Sequence, residues 1–350
     1  MLPKTVLAAD RVDSRPQDYY DERKQLYGAV PVFPFLSYEA VQAAVQQHID
    51  TAALAREVAA ATARYDTIAG TDYVICLTGW VEYPELIKLL TITREFSFRN
   101  DGGGVGSVDY DEFDPLPEMQ QLIILNPDYD PAHPVSCIMG GYRFVIHEGD
   151  SYGRGPMGDH FVFRDTWQAS SWIELGRSFM NPYYQQDGQR QTFDLILHGL
   201  GYIYATHPDT VGFFGKVTLY QLYEAQGADA FLLGVARHYF RKSKGVQVRP
   251  EERVPEGDLT EAQREVLDRN IFKGMFALLR RDYQVNMVKI MAIYNRMTHL
   301  SNMYYFGAFR HAAFGDTTEM GIAIHGSDFY EVVKEKFIYP YGREHERQPV

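Results

Sequence analysis

The chain predicts a mixed α/β fold in one domain, a central sheet flanked by helices. Three observations support it. Short apolar runs rich in β-branched and aromatic residues, such as YVICLTGW and SWIELGRSFM, alternate with longer stretches of helical period, such as PELIKLLTITREFSFR and TFDLILHGLGYIYATH. Cap and turn residues separate the runs. No internal repeat or low-complexity segment interrupts the alternation. At 350 residues the chain can bury a large core, and 45% hydrophobic with 23% charged residues places it among ordinary globular proteins.

Residues 1–36 read as irregular. Ser37 caps a helix running to about His48, and an alanine-rich helix follows Asp50. Nothing in residues 1–68 suggests chemistry, so they form a helical extension that packs on the rest. A core unit, 69–249, opens with the strand Tyr73–Trp80. Pro84 suits the first turn of the next helix, with Leu86, Leu89, Leu90 and Thr93 near one face. The Gly-rich NDGGGVGS reads as a flexible loop, not a P-loop, because no Gly-Lys-Ser/Thr follows. In DYDEFDP, Asp109, Asp111 and Asp114 crowd one turn that lacks the Gly and distant Glu of an EF-hand. Strands follow at QLIILN and VSCIMGGYRFVIHEG. Arg143 inside the second needs a carboxylate partner if buried, and the acidic turn is a source.

The chemistry concentrates on the strand Ser171–Met180. Strict alternation puts Glu174 and Arg177 on opposite faces. A bulge at Gly176 would bring both to one face and leave backbone N–H groups free to hold a carbonyl that becomes an oxyanion. The plainer alternative is an edge strand with one solvated and one paired charge. A polar loop through Arg190 leads to a helix, Thr192–His207, closed by Pro208. A strand over VGFFGKVTLYQLY and a helix from about Ala225 to Phe240 follow. The basic run Arg237–Arg249 is either a solvated helix end or a docking surface for an acidic partner. After a charged linker, 250–258, Thr260 and Gln263 make a capping box. Helical pattern continues through 271–281 and 285–297, and a terminal hairpin completes the main sheet. Residues 250–350 thus pack on the core.

The 25 Tyr and 21 Phe suit a large packed sheet and an apolar ligand. A net charge of −12 excludes duplex nucleic acid as the main partner. Cys76 and Cys137 sit in apolar runs and read as buried thiols. No spacing resembles a zinc motif, so no metal is expected. The first residues lack the apolar core of a signal peptide, and no run is long enough to span a membrane, so the expectation is a soluble, cytoplasmic protein.

The ordered charges resemble one known group, the GNAT-like N-acyltransferases that take long acyl chains from acyl carrier protein. It includes the acyl-homoserine-lactone synthases and the ornithine- or glycine-lipid N-acyltransferases, often labelled hemolysin-like. The shared pattern is Arg94 and Phe98 at a helix end, then the acidic turn Asp109, Asp111 and Asp114, then Tyr142-Arg143 in a strand. Glu174 and Arg177 in ELGRSF and the run FFGKVTLYQLY, ending near Tyr223, complete it. The match spans roughly Tyr73 to Phe240, and FGAFRHAAFGDTTEMG is similar to the tails of long bacterial members. Two features depart. The Trp usual in the homoserine-lactone enzymes is replaced by Gly-rich sequence. The phosphate loop of acetyl-CoA enzymes is reduced to QQDGQRQTF, with only Gly188, which argues against free acetyl-CoA.

The resemblance implies a GNAT-like fold: a mixed, mostly antiparallel central sheet flanked by helices, with helical N- and C-terminal extensions. It implies acyl transfer of a long-chain (3-hydroxy)acyl group to the amine of an amino acid or related small amine, in lipid or signal biosynthesis. Glu174 would be the base, directly or through one water. N–H groups near Gly176 would hold the oxyanion, beside Arg177, and Tyr223 would protonate the leaving thiolate unless it is only a packed aromatic. Arg94, Phe98, Asp109, Asp111, Asp114 and Arg143 would ring the substrate entrance, or serve as plain structural salt bridges. An Arg could clamp the acceptor's carboxylate. Gly188, with amides at a helix N-terminus, would meet the pantetheine arm. Arg237, Arg241, Lys242 and Lys244 would meet acyl carrier protein. No tightly bound cofactor is expected; acyl-carrier or acyl-CoA thioester is the co-substrate. A lipid product is compatible with peripheral contact at the inner membrane face. The alternatives are a non-catalytic acyl-carrier or lipid-binding module on the same fold and an acetyl-CoA-dependent N-acetyltransferase. A haemolytic toxin fits neither the charge nor the lack of a spanning run.

Overall fold

A computed structural model describes residues 1–3, 6–7, 36–184 and 191–342. The Ser37 hydroxyl accepts the Ala40 N–H at 3.1 Å and opens α1, Tyr38–His48. The Asp50 carboxylate accepts N–H groups of Ala52 and Ala53, both at 3.0 Å, and opens α2, Thr51–Arg64. Strand β1 is Val74–Thr78, and Pro84 starts α3, Pro84–Asp101. Then come β2 (Gln120–Leu125), β3 (Ile138–His147), the short β4 (Phe161–Phe163) and β5 (Ser171–Met180). Helix α4 is Gln191–Thr206, β6 Thr210–Leu219 and α5 Ala228–Tyr239. After β7 (Arg241–Lys242) and β8 (Val246–Val248), the Thr260–Gln263 capping box opens α6, Glu261–Arg269. Helices α7 (Ile271–Asp282) and α8 (Lys289–Met297) precede β9 (Tyr304–His311) and β10 (Thr317–His325).

Eight strands form one sheet in the order β1-β2-β3-β5-β6-β10-β9-β7, and β4 pairs β8 in a separate ribbon. Neighbours are antiparallel except β5–β6 and β7–β9. This is the mixed, mostly antiparallel, helix-flanked sheet expected. The C-terminal hairpin sits inside it, with β10 paired to β6 and β9 to β7.

Both faces of the sheet are covered, which explains continuous apolar runs such as QLIIL. Leu122 and Ile124 pack in one cluster with Ile173, Leu175 and residues of α4, α5, α7 and α8. Ile123 and Leu125 pack in another with α1, α2 and α3. A third cluster holds Trp172 and Phe214 under the β4–β8 ribbon. Cys76 and Cys137 are buried free thiols, and burial pushes both up from the ordinary thiol value.

Three local expectations need correction. The strand expected to reach Tyr223 ends at Leu219, and Tyr223 lies in a short helix, Gln221–Ala225. The helix expected from Ala225 starts at Ala228, after Gly227 in the left-handed region. The Gly-rich stretch is an anchored loop. The Glu95 carboxylate accepts N–H groups of Val105 at 3.0 Å and Gly106 at 2.8 Å, and Gly103 packs so tightly on the Tyr220 ring that a Cβ would sit 2.6 Å from it.

One feature of the sheet positions everything that follows. Strands β5 and β6 pair at Ile173↔Phe213, Glu174↔Phe214 and Leu175↔Gly215, and there the pairing stops. Strand β5 continues beside β3 to Met180, and β6 continues beside β10 to Leu219. The sheet therefore splits from Gly176 onward.

Candidate active site

A cavity of about 1050 Å³ occupies the split. Residues 174–180 of β5 form one lip, and Lys216, Thr218 and Tyr220 form the other. Part of its lining is apolar: Phe193 of α4 with Met287, Ile290, Ile293 and Tyr294. Nothing lies within 4 Å of where a Gly176 side chain would start, so the strand opens onto free space there.

The expected bulge is present, displaced by one residue. Gly141 pairs Phe179 and Arg143 pairs Gly176, so β5 carries one residue more than β3 between these pairs. The left-handed residue is Arg177, at φ +51°; Gly176 is not among the positive-φ positions. That conformation costs an L residue about 1–2 kcal/mol. The ion pairs of Arg177 hold it. The bulge brings Glu174 and Arg177 to the same face, the face of Trp172 and Phe179, while Ile173 and Leu175 point to the other cluster. Past Leu175, the backbone groups of β5 that face β6 have no partner on β6.

On that face the three arginines and three aspartates named from the sequence meet in a closed ring. Arg94 binds Asp109 at 2.5 Å and Asp114 at 3.0 Å. Arg177 binds Asp109 at 3.0 Å and Asp111 at 2.8 Å. Arg143 binds Asp111 at 2.5 Å and Asp114 at 3.2 Å. Each charge touches two of the opposite sign, and the sum is zero. Burial alone would lower the Arg94 and Arg177 guanidiniums, but the aspartates outweigh it and hold both above their ordinary range. Burial would likewise raise Asp111 and Asp114. Arg143 and Arg177 around Asp111, and Arg94 and Arg143 around Asp114, hold both below the usual carboxylate range instead. Phe98 lies beside the ring on the cavity wall, its side chain edge-on to Phe314 at 5.1 Å. Arg177 stacks on that same Phe314 at 5.1 Å.

Glu174 is 4% exposed and borders the cavity. Its Oε2 lies 2.8 Å from His147 Nε2, and its Oε1 accepts the Met157 N–H at 3.0 Å. His147 stacks on Tyr152 and its Nδ1 lies 3.2 Å from the Ser151 hydroxyl. A side chain at Gly155 would start 2.6 Å from Glu174 Oε2 and 2.7 Å from His147. Glycine there lets the pair form.

The opposite lip carries Lys216, Glu319 and His311. Burial pushes Lys216 down from the ordinary amine value, against the pull of Glu319. Burial would raise Glu319, but His311, Lys216 and Thr218 together hold it below its ordinary value. Tyr223 and Tyr220 are both on the cavity wall, and burial keeps the Tyr220 phenol well above its ordinary value.

The basic run lies elsewhere. Arg237 pairs with Asp258 at 2.6 Å, and Arg241 with Asp328 at 2.7 Å. Lys242 and Lys244 are exposed, and none of the four borders the cavity. Gly188 lies outside the described residues. Among the described residues no group of His, Cys, Asp and Glu could hold a metal ion, and no helix is long and apolar enough to cross a membrane.

Sequence reasoning missed His147, Lys216, Glu319 and His311. Period two offered a signal for two of them. His147 shares a face with Arg143 on β3, and Lys216 shares one with Phe214 and Thr218 on β6.

No protein-family model matches the chain. It is 30% identical over 277 residues to a glycine N(alpha)-acyltransferase of Bacteroides thetaiotaomicron, covering 75% of this chain and 80% of that one. It is 27% identical over 294 residues to the enzyme of the same name from Phocaeicola vulgatus, covering 77% and 85%. Among solved structures it aligns with FeeM, an N-acyl amino acid synthase from uncultured soil microbes, at 9% identity and a TM-score of 0.36. That alignment covers 76% of this chain and 96% of FeeM.

Proposed function

Because the chain belongs to the family of the glycine N(alpha)-acyltransferases, and is an N-acyltransferase, we propose a specific acceptor and donor. The acceptor is the α-amine of glycine or a similarly small amino acid, and the donor is a long-chain acyl thioester on acyl carrier protein. The observation that supports this best is the split beside Glu174. It joins a carboxylate, strand backbone without a β6 partner and an apolar wall in one cavity of about 1050 Å³. An acetyl group would leave most of that volume empty, which favours a long acyl chain over acetyl-CoA. A long-chain N-acyl amino acid is amphipathic, which fits a role in lipid or signal biosynthesis.

In this reading the thioester carbonyl lies against the open edge of β5, its oxygen toward the Gly176–Ser178 backbone that has no β6 partner. The bound ammonium first releases one proton to solvent; the free amine nitrogen then attacks the carbonyl carbon and loses a second proton to Glu174, directly or through one water. His147 and the Met157 N–H fix the carboxylate's orientation. The tetrahedral oxyanion collapses, the C–S bond breaks, and the thiolate takes a proton from Tyr223 or Tyr220. The Arg–Asp ring holds Arg177 in its left-handed conformation and so holds the bulge. Lys242 and Lys244 lie on the surface that meets the acidic carrier protein.

The test incubates the protein with acyl-carrier thioesters of several chain lengths and a panel of amines, following thiol release and product mass. N-acylglycine formed from long-chain carrier thioesters is expected. Thioester hydrolysis without amide formation would overturn the reading; equal use of acetyl-CoA would overturn its donor.

A further inference from the structure

We infer that Lys216 binds the carboxylate of the acceptor, which makes the site selective for α-amino acids over amines that lack an acid group. The inference rests on the reading just given and names the group that recognises its substrate. An amino acid enters as a zwitterion. Its amine must reach Glu174, and its carboxylate must then find a cation within a few ångströms. The arginines of this wall are already committed, since Arg94, Arg143 and Arg177 each hold two aspartates.

Lys216 is different. Its ammonium lies over the Phe309 ring at 5.4 Å, and none of the ion pairs found among the described residues includes it. It borders the cavity on the lip opposite Gly176. Glu174 is paired with Phe214, and Lys216 lies two residues further along β6 on the same face, at the first position past the last β5–β6 pair, Leu175↔Gly215. Both side chains border the cavity, so a two-carbon zwitterion can bind with its amine toward Glu174 and its acid toward Lys216. The remaining charges around Lys216 fit. Burial, Arg177 and Arg143 disfavour its charge while Glu319 and Glu174 favour it, so an added anion is welcome there.

The experiment compares glycine with glycinamide as acceptors, using one long-chain acyl-carrier thioester, in the wild-type protein and in Lys216→Met, Lys216→Gln and Lys216→Arg. The wild type should prefer glycine. Met and Gln should raise KM for glycine by about 10–100-fold, the value of one hydrogen bond to a charged group. They should change kcat little and glycinamide use less than threefold. Arg should retain part of the preference. Thermal melting checks that each variant folds, and the three replacements keep the test open if one does not. A glycine preference that survives Met and Gln, or an equal loss with both acceptors, overturns the inference while leaving the acyltransferase reading intact. A wild type that acylates no amine overturns both.

Discussion

The two lips of the cleft carry charge in opposite ways. On the β3–β5 side, six charges close on one another and none is left over. On the β6–β10 side, Lys216 rests on an aromatic ring, and His311 Nδ1 lies 3.5 Å from Glu319 without a hydrogen bond. In the first set every charge has two partners of opposite sign; in the second, Lys216 has no ion pair among the described residues. Counting arginines in a pocket is therefore a poor guide to where an anion binds. What matters is whether their charges are already paired. In the proposed reading the paired set maintains geometry, and the open set meets substrate.

The largest expected effect tests the joint between the lips. Glu174→Gln keeps the shape and an acceptor oxygen but cannot take a proton at neutral pH. It should lower kcat by about 10²–10⁴-fold with little change in melting temperature. Single-turnover measurements on the acyl-carrier donor check it. Turnover within threefold of wild type would move the base to the open lip and leave Glu174 a structural partner of His147.

Breaking the ring should cost stability. Arg94→Leu leaves Asp109 and Asp114 buried, each short of a partner, and should destabilise the fold by about 3–5 kcal/mol in denaturant titrations. The acid profile sharpens this. Asp111 and Asp114 titrate below the ordinary aspartate value in the folded state. Their contribution is thus fully present above about pH 3.9 and is lost as pH falls below it. The wild type should lose stability steeply between pH 4 and about pH 2, and Arg94→Leu less so. Parallel acid profiles would show that the ring contributes little.

How much of this was legible in the sequence follows the same division. The ring could be anticipated because an Arg inside an apolar strand must find carboxylates, and the acidic turn offered three. The split and the open lip were not legible. They depend on which strands are neighbours, and a single sequence does not state that β10 inserts beside β6 or that β5 and β6 part after Leu175. His147 meets Glu174 only once the register Val145↔Glu174 is known. The sequence places the bulge at Gly176, where it would bring Glu174 and Arg177 to one face, and glycine tolerates left-handed backbone best. Arg177 adopts it because two aspartates and the Phe314 ring hold the side chain, so tertiary contacts override local preference.

The comparison extends to a third set of charges, outside the cleft, with the smallest expected effect. The basic run looks uniform in sequence, yet the fold sorts it. Arg237 and Arg241 are spent on Asp258 and Asp328, and the Arg249 guanidinium donates to the carbonyls of Gly158 at 2.9 Å and Asp159 at 3.0 Å. Lys242 and Lys244 remain exposed. If an acidic carrier protein docks on this run, the attraction rides on those two lysines, and reversing Arg241 would mainly damage the fold's own pairing. Lys242→Glu with Lys244→Glu should raise KM for the acyl-carrier donor by about two- to fivefold per charge, the range of exposed ion pairs. It should leave kcat unchanged and have no effect with an acyl N-acetylcysteamine thioester, which carries no protein. The difference should shrink as salt rises, because exposed charges are screened. An unchanged KM at low salt would place the carrier's docking surface on another part of the molecule.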